Sequence, residues 1–182
     1  MPKVFAMIAD GTEEVECLAV VDLLRRARID VELVSVGKRT VVTSHKICIT
    51  ADKTVDEVDL TSADLIFLPG GMPGSTNLAA CAPLVAAIDK QLKVGKRVAA
   101  ICAAPAVVLG ANGFLQGKRA VCFPGFEDGC KGATIDGGAR VVTDGNVTTS
   151  RGMGCAVDLG LELIALLAGK ETAGKVKDAI QY

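Results

Sequence analysis

Short β-rich runs alternate with helical runs along this chain, and that alternation restricts it to a mainly parallel sheet covered by helices on both sides. Strands are expected at residues 3–8, 31–36, 65–68 and 97–101, with short ones at 119–122, 140–142 and 147–149. Helices are expected at 13–28, 84–94, 104–111 and 155–167, with a short terminal one at 176–180. Residues 40–50 carry β-branched side chains around Ser44-His45-Lys46, the pattern of a hairpin. Half of the 182 residues are hydrophobic but only 3% are aromatic, so the core must be built from Val, Ala, Leu and Ile. That composition suits strands buried on both faces. There are no repeats and no long linker, so residues 1–182 read as one domain.

The 20 basic and 21 acidic residues leave a formal charge of −1, with no basic excess for nucleic acid, so no nucleic-acid partner is expected from charge. Residues 4–9 are apolar, too few for a signal-peptide core, and the mostly apolar stretch 98–111 contains Pro105 and falls short of a membrane span. A cytoplasmic protein is expected. Seven cysteines show neither a C-x-x-C pair nor zinc-ligand spacing. In a reducing compartment most of them should pack as small hydrophobes. Cys17, Cys48, Cys122 and Cys155 are expected in the core, Cys81 and Cys130 in more polar surroundings.

Ligands in open α/β sheets collect at the carboxyl ends of strands, near helix N-termini. Three features fall there. In Ala99-Ala100-Ile101-Cys102-Ala103-Ala104-Pro105 a buried strand ends at Cys102 and a helix begins at once. Small neighbours permit a sharp bend, and the helix start favours thiolate over thiol. The local pattern alone fits a reactive cysteine or a buried structural one equally well. In the first helix, Ala19, Val20, Leu23, Leu24 and Ala27 form an apolar stripe, with Glu16 near its middle and Glu14, Asp22 and Arg25 on the opposite, solvent side. A carboxyl on a buried face is costly unless paired or protonated, which singles out Glu16. Glu13 and Glu14 read as ordinary first-turn charge. Finally, Leu68-Pro69-Gly70-Gly71 ends a buried strand, either as a plain turn or as a source of unobstructed backbone N–H groups.

With these segments and Thr149-Ser150-Arg151-Gly152-Met153-Gly154 in this order, the chain resembles the ThiJ/PfpI superfamily, most closely its DJ-one branch. The resemblance implies a flavodoxin-like α/β sandwich and a homodimer. It places Cys102 on the family's oxidisable nucleophile, Glu16 on its partner glutamate, and Gly70, Gly71 and Ala103 where backbone amides line the site. Ser150, Arg151, Gly152 and Met153 match a site-lining loop in which Met153 replaces a proline. His45 falls where relatives carry an arginine near the dimer interface and site. Ala103 stands where protease-like members carry a histidine, and Phe123 where some deglycase relatives carry one. A peptidase is therefore disfavoured, as is thiazole biosynthesis, for which no motif is present.

The resemblance implies handling of small dicarbonyls such as methylglyoxal, of the glyoxalase III or deglycase type. Cys102 would attack the aldehyde and Glu16 would share its proton, with no metal or organic cofactor. The other reading is an oxidative-stress sensor or chaperone-like protein in which Cys102 becomes a sulfinate. The same residues serve both.

Overall fold

The computed structural model describes residues 1–182. Its strands are β1 (Lys3–Ile8), β2 (Asp30–Ser35), β3 (Thr40–Val42), β4 (Cys48–Thr50), β5 (Lys53–Thr54), β6 (Leu65–Leu68), β7 (Arg97–Ile101), β8 (Arg119–Ala120), β9 (Thr134–Ile135), β10 (Val141–Asp144) and β11 (Val147–Ser150). Seven form one sheet in the order β10-β11-β7-β6-β1-β2-β5, parallel everywhere except between β10 and β11. The five strands β2-β1-β6-β7-β11 follow the flavodoxin-like doubly wound order, whose switch point lies between β1 and β6.

Alternation along each strand builds two cores. Val4, Ala6 and Ile8 of β1, Leu65 and Phe67 of β6, and Ala99 and Ile101 of β7 enter one apolar cluster. Phe5, Met7, Ile66, Leu68, Val98 and Ala100 enter the other. Strands that are apolar on both faces need cover on both. Helices α1 (Glu14–Arg26), α4 (Ala156–Ala168) and α5 (Lys170–Ala179) cover the first cluster. Between α1 and α4, Gly160 is needed because a Cβ there would lie 2.5 Å from Leu23 Cδ1. Helices α2 (Gly74–Ala79) and α3 (Ala82–Lys93) and a π-helical turn (Pro105–Gly110) cover the second. None of the helices is long and apolar enough to cross a membrane.

Several expectations change. The segment after Cys102 winds as a π-helix rather than an α-helix, and this sets Gly110 directly against the Gly129 carbonyl and the Cys130 backbone, an approach that only a residue without a Cβ allows. The strand expected at 119–122 stops at Ala120 and pairs with β9 off the main sheet. The terminal helix runs Lys170–Ala179, and α2, β5 and β9 are additional. Glu14 is buried rather than solvated, because Thr43 and Ser44 of the β3–β4 hairpin fold over it. Cys48 lies on the outward face of β4 and is exposed, whereas Cys130 is buried against the second core.

Candidate active site

The site begins with a strained residue at the end of β7. Cys102 donates its amide to the Ser150 carbonyl at 3.0 Å, which extends the β7–β11 ladder, and its own carbonyl accepts the Phe123 N–H at 2.8 Å. Between these anchors its φ is +65°. A residue with a Cβ adopts that left-handed conformation at a cost of roughly 1–2 kcal/mol. The strain turns the side chain out of the first core, leaving Cys102 packed on its edge and partly exposed.

Glu16 comes from the first turn of α1 and is 1% exposed. Glu13 caps that helix, its Oε2 accepting the Glu16 amide at 2.6 Å. The Glu13 amide donates to the Gly70 carbonyl at 2.9 Å, and the Gly70 amide donates to Glu16 Oε2 at 2.9 Å. The start of α1 and the turn after β6 are thus stitched together across the β1/β6 switch point. A Cβ on Gly70 would lie 2.5 Å from Glu16 Oε2 and 2.6 Å from Cys102 Cβ. The same distances show the carboxyl and the cysteine crowding one backbone position. The Glu16 carboxyl lies close enough to the Cys102 sulfur for each to perturb the other, and the Ala103 and Gly71 amides act on the same sulfur.

Burial raises Glu16 from its ordinary 4.5 to about 7; the neighbouring Cys102 thiol opposes this, the charge of Glu13 adds to it, and the Gly70 amide opposes it. Burial, then the ionised Glu16, pushes the Cys102 thiol from 9.0 up to about 12, against the Ala103 and Gly71 amides. The expectation of a thiolate favoured by the helix start is therefore reversed, since burial first and then the Glu16 charge outweigh the two amide dipoles. Protonation of Glu16 removes that repulsion and supplies a donor to the sulfur. Each group thus shifts the titration of the other.

The structure brings Cys102, Glu16, Gly70, Gly71 and Ala103 together. Ser150 takes part through its carbonyl, while its hydroxyl donates to the Arg140 carbonyl at 2.9 Å. Arg151 donates its amide to the same Arg140 carbonyl at 3.2 Å, and Met153 is exposed one turn further on. The Phe123 ring lies against Gly152, where a Cβ would come within 3.2 Å of it. His45 does not join Cys102. Its Nδ1 lies 3.0 Å from Glu14 Oε1 and 3.8 Å from Glu13 Oε1. Glu13, Glu14 and His45 each place one ligand atom within 4.8 Å of the others, so they are the residues able to hold a metal, separate from the sulfur. Sequence reasoning missed the cap by Glu13; the signal available was its position three residues before Glu16, the N-cap to N3 spacing.

Fold and site together define a class: the chain belongs to the DJ-1/PfpI family, whose profile matches residues 2–166. It is similar to Protein DJ-1 homolog B of Arabidopsis thaliana, 39% identical over 173 residues that cover 93% of this chain and 39% of that protein. The chain spans less than half the length of the Arabidopsis relatives it matches. It is 32% identical over 151 residues to a protein of Pyrococcus horikoshii named a deglycase, covering 82% of this chain and 89% of the relative. The solved structure of oxidized Toxoplasma gondii DJ-1 superposes with a TM-score of 0.94 at 37% identity, covering 100% of this chain and 99% of that one.

Proposed function

We propose that this chain is a cofactor-independent enzyme that converts small reactive dicarbonyls, of which methylglyoxal is the simplest, with Cys102 as nucleophile and Glu16 as proton carrier. The observation that supports this reading is the pairing of a partly exposed sulfur, held in a left-handed turn, with a buried carboxyl crowding the same backbone position and raised to a pKa of about 7. A general acid–base with its pKa near neutrality can both give and take a proton at working pH. The named activity of the archaeal relative points the same way.

The Cys102 sulfur adds to the aldehyde carbon, forming a C–S bond while the thiol proton passes through Glu16 to the carbonyl oxygen. The Gly71 and Ala103 amides face the developing negative charge. Glu16 then takes the proton from that carbon and returns one to the neighbouring carbon, turning the hemithioacetal into a thioester. Water cleaves the thioester, releasing lactate and restoring the thiol. One dicarbonyl and one water give one hydroxy acid, with no external electron acceptor.

The second reading, a sensor in which Cys102 is oxidised to a sulfinate, draws on the same carboxyl, since protonated Glu16 would donate to a sulfinate oxygen. Incubation of the purified chain with methylglyoxal, with lactate as the readout, separates them. Turnover that falls by about 100-fold or more in Cys102→Ser and Glu16→Gln supports the enzyme. Absence of turnover in the unaltered chain overturns it and favours the sensor. We further propose a homodimer, supported by the exposed apolar residues Val15 and Leu18 on α1 and Val42 and Ile47 on the neighbouring hairpin. A monomeric mass in sedimentation at micromolar concentration would refute it.

A further inference from the structure

Two chain segments flank Cys102, and each is tied to its backbone. Ser150, in residues 149–153, accepts the Cys102 amide at 3.0 Å, and Phe123, in residues 121–123, donates to the Cys102 carbonyl at 2.8 Å. The hydroxyls on these segments are turned into the protein. Thr149 Oγ1 accepts the Val121 amide at 2.9 Å, and the Ser150 hydroxyl donates to the Arg140 carbonyl at 2.9 Å. What they leave outside is chiefly apolar: Phe123 is 45% exposed and Met153 is 53% exposed. Arg151, partly buried, is the one charged side chain on either segment.

The Phe123 ring does not swing freely. Phe126, itself packed on the second core, meets it edge to face, with 6.3 Å between ring centroids and 80° between ring planes. The ring also lies against buried Gly152, where a Cβ would come within 3.2 Å of its Cδ2. The Phe126 amide donates to the Phe123 carbonyl at 3.1 Å and closes the turn that carries both rings. An aromatic side chain fixed in this way gives up little rotational freedom when a ligand settles on its open surface.

Resting on the dicarbonyl reading, we propose that Phe123, with Met153 on the adjoining segment, forms a ring-binding wall beside Cys102 that selects α-oxoaldehydes carrying an aromatic group, of which phenylglyoxal is the simplest. The reacting carbons are the same as in methylglyoxal. The sulfur adds to the aldehyde, the hydrogen moves to the neighbouring carbon, and one water releases mandelate where methylglyoxal gives lactate. Only the substituent differs, a phenyl group in place of a methyl. Against Phe123 that phenyl group gains an offset or edge-to-face ring contact, worth up to about tenfold in affinity. A methioninyl sulfur also packs well at a ring edge. A methyl group reaches neither contact, so the wall separates the two aldehydes by binding and leaves the proton transfers at Glu16 alike.

Initial rates of lactate and mandelate release by the purified full chain give kcat/KM for the two aldehydes. Their ratio within one protein cancels any difference in folding between variants. It should favour phenylglyoxal about tenfold more in the unaltered chain than in Phe123→Ala, with the change carried by KM, and Phe123→Tyr should keep it. Protection of Cys102 from iodoacetamide by the two product acids reads the same wall without turnover. Mandelate should protect to half extent at about a tenth of the lactate concentration, and this advantage should vanish in Phe123→Ala. Release of neither acid, with that advantage intact, would remove the dicarbonyl reading and leave the ring-binding wall standing. A kcat/KM ratio that Phe123→Ala leaves unchanged, or equal protection by the two acids in the unaltered chain, overturns the proposal even where methylglyoxal is turned over.

Discussion

Replacing Glu16 with glutamine keeps the shape and one acceptor oxygen for Gly70 while removing the charge. A carboxyl whose pKa is raised on folding stabilises the folded state fully below its unfolded value and loses that contribution as the pH rises through its folded value. For Glu16 these values are 4.5 and about 7. At about 1.4 kcal/mol per pKa unit, ionising the buried group costs at most about 3.4 kcal/mol. Glu16→Gln escapes that cost at every pH. The stability of the variant relative to the unaltered chain should therefore rise by about 2.5 kcal/mol between pH 5 and pH 8.5. Other titrating groups are common to both proteins and cancel in the difference. Urea unfolding curves of the two proteins at these two pH values measure it. A difference that stays flat across the range would mean that Glu16 is not a desolvated carboxyl, and the proton-sharing argument would fall with it.

Alkylation of Cys102 by iodoacetamide should accelerate about tenfold per pH unit below the Glu16 value of about 7 and then level off, because the pair carries one shared charge above it. In Glu16→Gln that plateau should disappear. Gly70→Ala forces a Cβ to 2.5 Å from Glu16 Oε2 and 2.6 Å from Cys102 Cβ, so both stability and alkylation rate should fall, stability by about 1–3 kcal/mol in thermal unfolding. Cys102→Gly should be more stable than Cys102→Ala by about 1 kcal/mol, because only glycine is at ease at a φ of +65°; equal unfolding midpoints would refute the strain.

What could be read from the sequence was what depends on local period. Glu16 stood out because one carboxyl interrupted an apolar stripe repeating every three to four residues, and that stripe does face the sheet. Cys102 stood out because an apolar strand ran straight into a proline-started turn. Glu14 was misplaced for the complementary reason. Helical period reports only the face turned to the sheet, while Glu14 is covered from the other direction by Thr43 and Ser44, some thirty residues away in the chain. Cys130 was misjudged similarly, since its polar neighbours Asp128, Gly129 and Lys131 conceal that its own side chain meets the second core. The sharp bend at Cys102 was legible in its small neighbours, but its left-handed φ was not, because no glycine or asparagine marks it.

The two costly features of this protein, a left-handed cysteine and a buried carboxyl, occupy one point in the fold, and the neighbourhood there is suited to hold them. A strained residue persists only where its surroundings over-determine it. Cys102 is fixed on both sides by backbone hydrogen bonds, to Ser150 and from Phe123, and its strand is buried in the sheet interior between β6 and β11. Glu16 is fixed by the Glu13 cap and the Gly70 amide. A glycine at 102 would keep both backbone bonds with less strain, and a leucine at 16 would keep the Glu13 cap with less desolvation, losing only the acceptor of the Gly70 amide. Structural requirements alone therefore do not account for the pair. Its arrangement makes sense as chemistry: the strain holds the sulfur toward solvent, and the burial holds a proton beside it near neutral pH.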